Sequence, residues 1–540
     1  MRVLLLKPFQ PIDLWLAAPP LGLLSIAAAL RNALPGIDVR VVDMNVRGLG
    51  AQWLHYAITR FRPDVVGVSA LNFQLSAACE LASVVKQRDP RILAVLGGSV
   101  THHRSAELLA ETDFDWVFEG EAERAFPRAL EAYWQGADLT GIPGLSFRKQ
   151  EQNVICTARD VIENPGELPL PAWDLCEFDL YAAQPNGNLI KKHAKYAYLY
   201  TSRGCPYRCA YCHDIFGKKF HSAPAERVLE EIELLHTKYR IREFHIIDDI
   251  FNFDRRRMAD IFTLVKQRFG KKLAFCFPNG LRADILTPDL IALMAEAGTI
   301  SIAVALETAS KRLQRLMSKH LQIEKAVAAV ECAHRHGIAV KGFFMLGFPS
   351  ETLDEMEQTV SLAMRSKLTI AHFFAVTPQP GSPLFELAQQ VMPATSRAGL
   401  RQQYNATHPW YGQAYGFALG NYIRRAYRRF YLRPSRIWRI LCRIPWRSYA
   451  HALPVALRRI LGLKPALPKS RWYQFSETGL STPESQSSAV LRNPRNHTGG
   501  HAFGIQLRLQ QPEREVLAGR AMQRLKRASD QPFSAAKFLS

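Results

Sequence analysis

The 540 residues predict an α/β protein in two parts, a doubly wound sheet followed by an open parallel (β/α)6 barrel, with a basic helical extension behind them. Three observations carry this prediction. Short apolar, strand-type runs alternate with helix-period stretches in two separate blocks, before residue 140 and after residue 190. Prolines at 165, 169, 171 and 185 interrupt the stretch between the blocks. The densest group of metal-ligating side chains, Cys205, Cys209 and Cys212, stands directly after the first strand-like run of the second block.

The first block opens with a strand over Met1–Leu6. Pro19-Pro20 then starts a helix over Leu21–Asn32, at a position where the missing backbone N–H costs little. Strands follow at Val39–Asp43, Val65–Ala70, Ile92–Gly97 and Trp116–Glu119, the alternation of a doubly wound, Rossmann-like domain over residues 1–140. The loop after the first strand reads Lys7-Pro8-Phe9-Gln10-Pro11 and has no glycine, so it is not a G-x-G-x-x-G dinucleotide fingerprint. Residues 141–190 read as an irregular connector that buries Leu168, Leu170, Trp173, Leu175 and Phe178, so the two domains should face each other.

In the second block, residues 191–395, Tyr196–Thr201 runs into the cysteine loop and a helix-period stretch from Pro224 to Tyr239 follows. Strand-like runs recur at 243–248, 273–277, 301–306, 340–346 and 370–376. Six β/α units make a partial barrel of the TIM type, whose active site lies at the carboxyl ends of the strands. The chain sets Asp248 and Asp249 after the second strand, Asn279 and Arg282 after the third, and Glu307 at the end of the fourth. Gly347-Phe348-Pro349 ends the fifth, and Pro380-Gly381 follows the sixth. Taken singly, the Asp pair could be a helix cap, Glu307 a solvated strand end, and the Gly and Pro residues plain turn formers.

The run Arg203-Gly204-Cys205-Pro206-Tyr207-Arg208-Cys209-Ala210-Tyr211-Cys212-His213 has cysteine spacing C-x3-C-x2-C. A cubane iron-sulfur cluster held by three thiolates keeps one iron open to a substrate or cofactor. The same thiolates with His213 as fourth ligand would close a zinc tetrahedron. The other six cysteines are scattered singly and read as small core residues.

This spacing, with an aromatic residue directly before the third cysteine, resembles the signature of the radical S-adenosylmethionine enzymes. The resemblance implies that Cys205, Cys209 and Cys212 hold a [4Fe-4S] cluster whose open iron chelates S-adenosylmethionine. One electron then cleaves that molecule to methionine and a 5′-deoxyadenosyl radical. It also implies Tyr211 near the adenine, Glu307 at the ribose, the segment Gly342 to Pro349, with Gly347 in it, near the adenine, and Asp249, Asn279 and Arg282 about the cofactor. The first domain resembles the cobalamin-binding domain of one branch of this family, on Ser69-Ala70-Leu71 after the third strand and Gly97-Gly98 after the fourth. Small residues there let backbone approach a bulky nucleotide tail. Glu119-Gly120-Glu121 looks like the family's acidic turn, with a helix cap as the plain reading. The Asp-x-His-x-x-Gly motif of other cobalamin proteins is absent, as is usual in this branch. His102 and His103 read as two exposed loop histidines within reach of the tail.

The implied function is cobalamin-dependent radical chemistry, with methyl transfer to an unactivated carbon favoured over cobalamin-assisted cyclisation, rearrangement or oxidation. A zinc-stabilised corrinoid- or nucleotide-binding protein is the alternative from another class. Expected partners are a small-molecule substrate, lipid-like or natural-product in character, and a flavodoxin or ferredoxin reductant. The net charge of +21 concentrates in a basic, aromatic region within 396–475, expected to cap the barrel as helices or to touch an anionic membrane. No nucleic-acid module is recognisable. Residues 476–540, rich in Ser, Pro, Gln, Arg and Gly, read as a disordered tail. Nine cysteines without a secretory pattern imply a cytoplasmic protein, any membrane contact being peripheral.

Overall fold

In the first strand, β1 (Arg2–Lys7), Val3 and Leu5 enter one apolar core while Leu4 and Leu6 enter another, as the two-residue period of a strand requires. A sheet with an apolar core on each face is doubly wound. The computed structural model describes residues 1–9, 18–149, 153–184, 190–348, 350–378, 382–386 and 419–443. β1 pairs in parallel with β2 (Asp38–Asp43) and β3 (Val65–Ser69), and the sheet continues through β4 (Leu93–Gly97) and β5 (Trp116–Phe118). Helices Leu21–Ala33 and Ala125–Trp134 bury their apolar stripes on one face. Gln52–Phe61, Leu75–Arg88 and Ser105–Glu111 cover the other.

The sheet runs past the expected boundary at residue 140, and the segment read as irregular contains two strands. β6 (Leu145–Lys149) pairs antiparallel with β5, and β7 (Asn153–Cys156) pairs antiparallel with β6. Leu145 and Phe147 alternate into the core in a strand too short to announce itself among flanking glycine and charged residues.

The second sheet holds β8 (Ala197–Leu199), β11 (Glu243–Ile246), β12 (Ala274–Leu281), β13 (Thr299–Glu307), β14 (Ala339–Leu346) and β15 (Ile370–Ala375), all parallel, in the order β15-β14-β13-β12-β11-β8. This is the expected six-stranded partial barrel. Between β8 and β11 a short antiparallel pair, β9 (Ser202–Arg203) with β10 (His221–Ser222), pinches the chain into a neck that closes the cysteine loop. Gly204 begins that loop at φ +76, where a side chain would run into the backbone of Lys219.

A partial barrel leaves an edge, and β15 is covered by the helix Leu419–Tyr431. The Tyr427 hydroxyl accepts from the Phe373 N–H at 3.1 Å, and the Tyr431 hydroxyl accepts from the Ala371 N–H at 3.2 Å and donates to the Ala371 carbonyl at 3.0 Å. Two tyrosines thus occupy the groups a seventh strand would use. Pro185, Pro349, Pro380-Gly381, residues 387–418, 444–475 and the tail 476–540 lie outside the described residues. Among the described residues no helix is long and apolar enough to cross a membrane.

Gly298 turns the chain into β13 at φ +98, and a Cβ there would strike the Leu273 carbonyl. Gly298→Ala should therefore destabilise the fold by about 1–3 kcal/mol, combining unfavourable backbone with steric displacement. Chemical denaturation reads this as a lowered midpoint at constant slope; an unchanged midpoint would contradict the strain.

Candidate active site

The neck is held from both sides. Asp248, at the carboxyl end of β11, accepts the Thr201 N–H and hydroxyl at 2.6 Å each and the Ser202 hydroxyl at 2.5 Å. Burial lifts this carboxyl to about 6, while the Arg257 charge and those donors pull it the other way. Asp249 points into the loop instead, accepting the Gly204 N–H at 3.1 Å and the Tyr200 hydroxyl at 3.1 Å. The neighbouring carboxylates divide the labour: one fixes the strand, the other the entrance of the cysteine loop.

Within the loop, the Cys212 N–H donates to the Cys209 carbonyl at 3.0 Å, and Ala210 is pinned by Met317 O at 3.0 Å and by Leu384 N at 2.9 Å. All three cysteines are free thiols. Burial pushes the Cys205 thiol up and the Cys212 thiol up to about 12, and in both the neighbouring Cys209 adds to the rise. Three free thiols gathered on one pinned loop fit a cationic iron cluster, which would receive them as thiolates.

Tyr211, between the second and third cysteines, donates its hydroxyl to Glu307 at 3.3 Å, and Lys319 reaches the same carboxylate at 3.1 Å. Glu307 is 7% exposed and sits at φ +59, a left-handed backbone that a non-glycine residue adopts only under constraint. The strand shifts register between Ala305 and Glu307, which turns the carboxylate toward the cysteine loop. Gly347, at φ +89, donates its N–H to Glu351 at 2.6 Å. Arg282 spans Lys319 O and His320 O at 3.0 and 3.1 Å and lies 3.9 Å over the Tyr207 ring, bracing two loops.

A cavity of about 1020 Å³ lies between the two sheets. On the first domain's side its wall includes Ser69, Leu71, Gly97 and Gly98; from the barrel come His213, Asp249 and Asn279. β3 and β4 bring Ser69 opposite Gly97. A Cβ on Gly97 would meet nothing within 4 Å, and one on Gly98, at φ +92, would lie 2.6 Å from the Ala70 carbonyl. This bare-backbone cradle at the carboxyl ends of parallel strands fits the nucleotide tail of a corrinoid. The three cysteines, Tyr211, Arg282, Glu307, Gly347 and Glu119 stand outside the cavity wall, to which the cysteine loop contributes through His213, Ile215 and Phe216 just beyond it.

His102 departs from the exposed loop residue expected. It is 4% exposed, its Nε2 lies 2.5 Å from Asp214, and only His103 is half exposed. Two residues past the last cysteine, Asp214 draws this histidine inward, and Glu119 lies 3.5 Å from its other ring nitrogen. The acidic turn of the first domain therefore faces the cysteine loop.

Sequence reasoning missed three features. Arg203, directly before Gly204, holds Glu121 at 2.5 Å and Glu123 at 2.6 Å, joining the domains through buried charges. Lys341 lines the cavity at 5% exposure, and burial pushes its amine down to about 8. Phe343, His372 and Phe374 form the aromatic wall beside it, the last two stacked at 5.7 Å. The signal for Lys341 was a lone cation in an otherwise apolar strand.

Residues 199–363 match the family described as the Radical SAM superfamily, and residues 16–130 match the B12 binding domain. An uncharacterized methyltransferase of Pyrococcus horikoshii is 29% identical over 77% of this chain and 88% of its own length. The cytidylyl-2-hydroxyethylphosphonate methyltransferase of Streptomyces wedmorensis is 27% identical over 71% and 80%. The anaerobic magnesium-protoporphyrin IX monomethyl ester cyclase of Rubrivivax gelatinosus is 26% identical over 65% and 62%. Among solved structures, the radical S-adenosylmethionine methyltransferase TsrM from Kitasatospora setae, with tryptophan substrate and a S-adenosylmethionine analogue, superposes with a TM-score of 0.61 at 19% identity over 72% of this chain and 76% of that one. The cobalamin-dependent radical enzyme OxsB, with aqua-cobalamin and S-adenosylmethionine, gives 0.64 at 14% over 85% and 72%.

Replacing Arg203 by Met would leave Glu121 and Glu123 buried without their cation. Loss of about 3–5 kcal/mol is expected, read by denaturant unfolding. A loss below about 1 kcal/mol, the range of a solvent-exposed pair, would contradict the joint described here.

Proposed function

Because the chain belongs to the radical S-adenosylmethionine superfamily and carries a B12-binding domain, we propose that it transfers a methyl group to an unactivated carbon of a small molecule. The observation that carries this reading is the shared cavity, bounded by the bare-backbone cradle of one domain and by the strand ends beside the cysteine loop of the other. Cys205, Cys209 and Cys212 would hold the cluster, and Ser69, Leu71, Gly97, Gly98 and Glu119 would receive cobalamin. Tyr211, Glu307, Asp249, Asn279, Arg282 and Gly347 would position S-adenosylmethionine directly or through the loops they fix. When bound, these groups supply a carbon-centred radical and a transferable methyl group.

The chain's own residues bind, orient and exclude water. Tyr211 and Lys319 hold the Glu307 carboxylate in one orientation, ready to accept hydroxyl donors. The phenylalanines at 343 and 374 present C–H and π surfaces in the barrel interior, which keep solvent from a reactive intermediate. Lys341 places one cationic or hydrogen-bonding group among them. Holding the reacting partners in one shared cavity is the main catalytic contribution open to the protein.

The cyclase relative favours a second reading, cobalamin-assisted ring closure or oxidation without methyl transfer. A flavodoxin or ferredoxin would deliver the electron, the substrate would be lipid-like or a natural product, and the protein would work in the cytoplasm with peripheral membrane contact through its basic C-terminal region.

The test is anaerobic reconstitution with iron, sulfide and cobalamin, followed by reduction with S-adenosylmethionine carrying a deuterated methyl group, in the presence of small-molecule and lipid extracts of the source organism. The expected outcome is 5′-deoxyadenosine plus a product carrying the label on carbon, both lost in Cys209→Ala. Deoxyadenosine with an unlabelled product would select the second reading. Zinc in place of iron, with no deoxyadenosine, would end both.

A further inference from the structure

The helix Pro434–Arg443 is mounted inside out. Amphipathic helices on globular proteins turn apolar side chains inward and charges to water. Here Arg436 is 3% exposed and donates to the carbonyls of Leu368, Met364 and Ser366. Arg439 reaches Leu368 O at 3.1 Å and Ser366 O at 3.3 Å, and Arg443 reaches His334 O at 3.1 Å. Two of these acceptors, the Met364 and His334 carbonyls, lie in the last turns of the helices Leu353–Arg365 and Ile323–Arg335, where the helix dipole favours a cation.

With arginines facing the barrel, the opposite side of the helix carries the apolar residues outward. Trp438 is 69% exposed, Leu441 53% and Ile437 45%, and Leu432 just before the helix is 58% exposed. Positions 437, 438 and 441 share one helical face. Arg424, Arg425, Arg428 and Arg433 are exposed on and after the preceding helix. Residues 419–443 contain eight arginines and no carboxylate, and no Asp or Glu occurs anywhere between Glu386 and Glu477.

We propose that this outward face docks on an anionic lipid bilayer, with Leu432, Ile437, Trp438 and Leu441 entering the interface and the exposed arginines meeting the headgroups. The proposal rests on the peripheral membrane contact proposed above and assigns its residues. The occupant is chosen by complementarity. An anionic surface answers a long acid-free basic stretch, and an apolar interior answers a tryptophan and three aliphatic side chains beside it. A nucleic-acid backbone would satisfy only the charge. The helix is fastened to segments that precede β14 and β15, at the amino-terminal end of the barrel strands, so the docking face is separate from the cysteine loop at the carboxyl end. Docking at this face anchors the enzyme without occluding the cavity.

The test is sedimentation of the full-length holoenzyme with vesicles of phosphatidylglycerol and phosphatidylcholine, and with phosphatidylcholine vesicles alone. Binding is expected to the anionic vesicles, to weaken with salt, and to fall about tenfold or more in the Trp438→Ser, Leu441→Ser double variant. Arg424→Ala, Arg425→Ala should reduce it with a shallower salt dependence. Both variants alter exposed side chains, and an unchanged melting temperature without vesicles checks that they fold. If the unsubstituted enzyme ignores anionic vesicles, the membrane contact itself is wrong. If it binds and the double variant binds equally, the contact stands and this helix face is not its site. A double variant that loses thermal stability or changes oligomeric state while binding vesicles normally shows the face covered by the chain itself or by a second copy, which overturns the proposal. Tighter binding to polyuridylate than to vesicles, indifferent to the apolar substitutions, would assign the basic surface to RNA and overturn it as well.

Discussion

Arg203 is the point on which the two halves turn. Its guanidinium is 11% exposed and lies between two carboxylates of the first domain, Glu121 at 1% and Glu123 at 7%. Ser25 supports Glu123 at 2.9 Å and the Ile162 N–H supports Glu121 at 2.8 Å, so the anions are themselves held in place. Breaking such a buried group is costly, because an arrangement of the domains that separates Arg203 from these carboxylates leaves a charge buried without its partner. Arg203 is also the last residue before the glycine that opens the cysteine loop. The alignment of the domains and the position of the cluster ligands are therefore one constraint.

From that constraint the cavity follows. Strands β3 and β4 end in small residues, Asp249 follows β11 and Asn279 lies near the end of β12; the joint brings these ends to one volume. The His102–Asp214 contact repeats the logic on the other side of the cysteine loop, with Arg159 donating to the Asp214 carbonyl at 3.2 Å. A loop gripped at its neck by Asp248 and Arg203 and beyond its third cysteine by His102 has little freedom left. That rigidity suits a reaction in which the protein supplies placement and dryness.

Much of this was legible in the residues because the relevant signals are local. Cys205, Cys209 and Cys212 lie within one loop, and strand alternation such as Val3–Leu6 needs no partner to be recognised. What escaped was set by long-range pairing or by orientation. Nothing near Arg203 names its partners, which are about 80 residues upstream. His102 read as exposed because its partner Asp214 is 112 residues away. Leu145–Lys149 read as irregular because a five-residue strand takes its identity from the sheet it joins. The pattern of Pro434–Arg443 announced an amphipathic helix but not which face turns inward, since backbone carbonyls that accept arginines leave no trace in side-chain composition. The β14 lysine was visible as a break in an apolar run, and its meaning required the cavity.

The central claim is that the two domains hold a three-thiolate cluster and a corrinoid about one shared cavity. Electron paramagnetic resonance of the anaerobically reduced holoenzyme, with the cluster and cob(II)alamin both paramagnetic, tests it most directly. The account predicts that reducing the cluster broadens or splits the cobalt signal through spin–spin interaction. Two signals that superpose as isolated centres would contradict it.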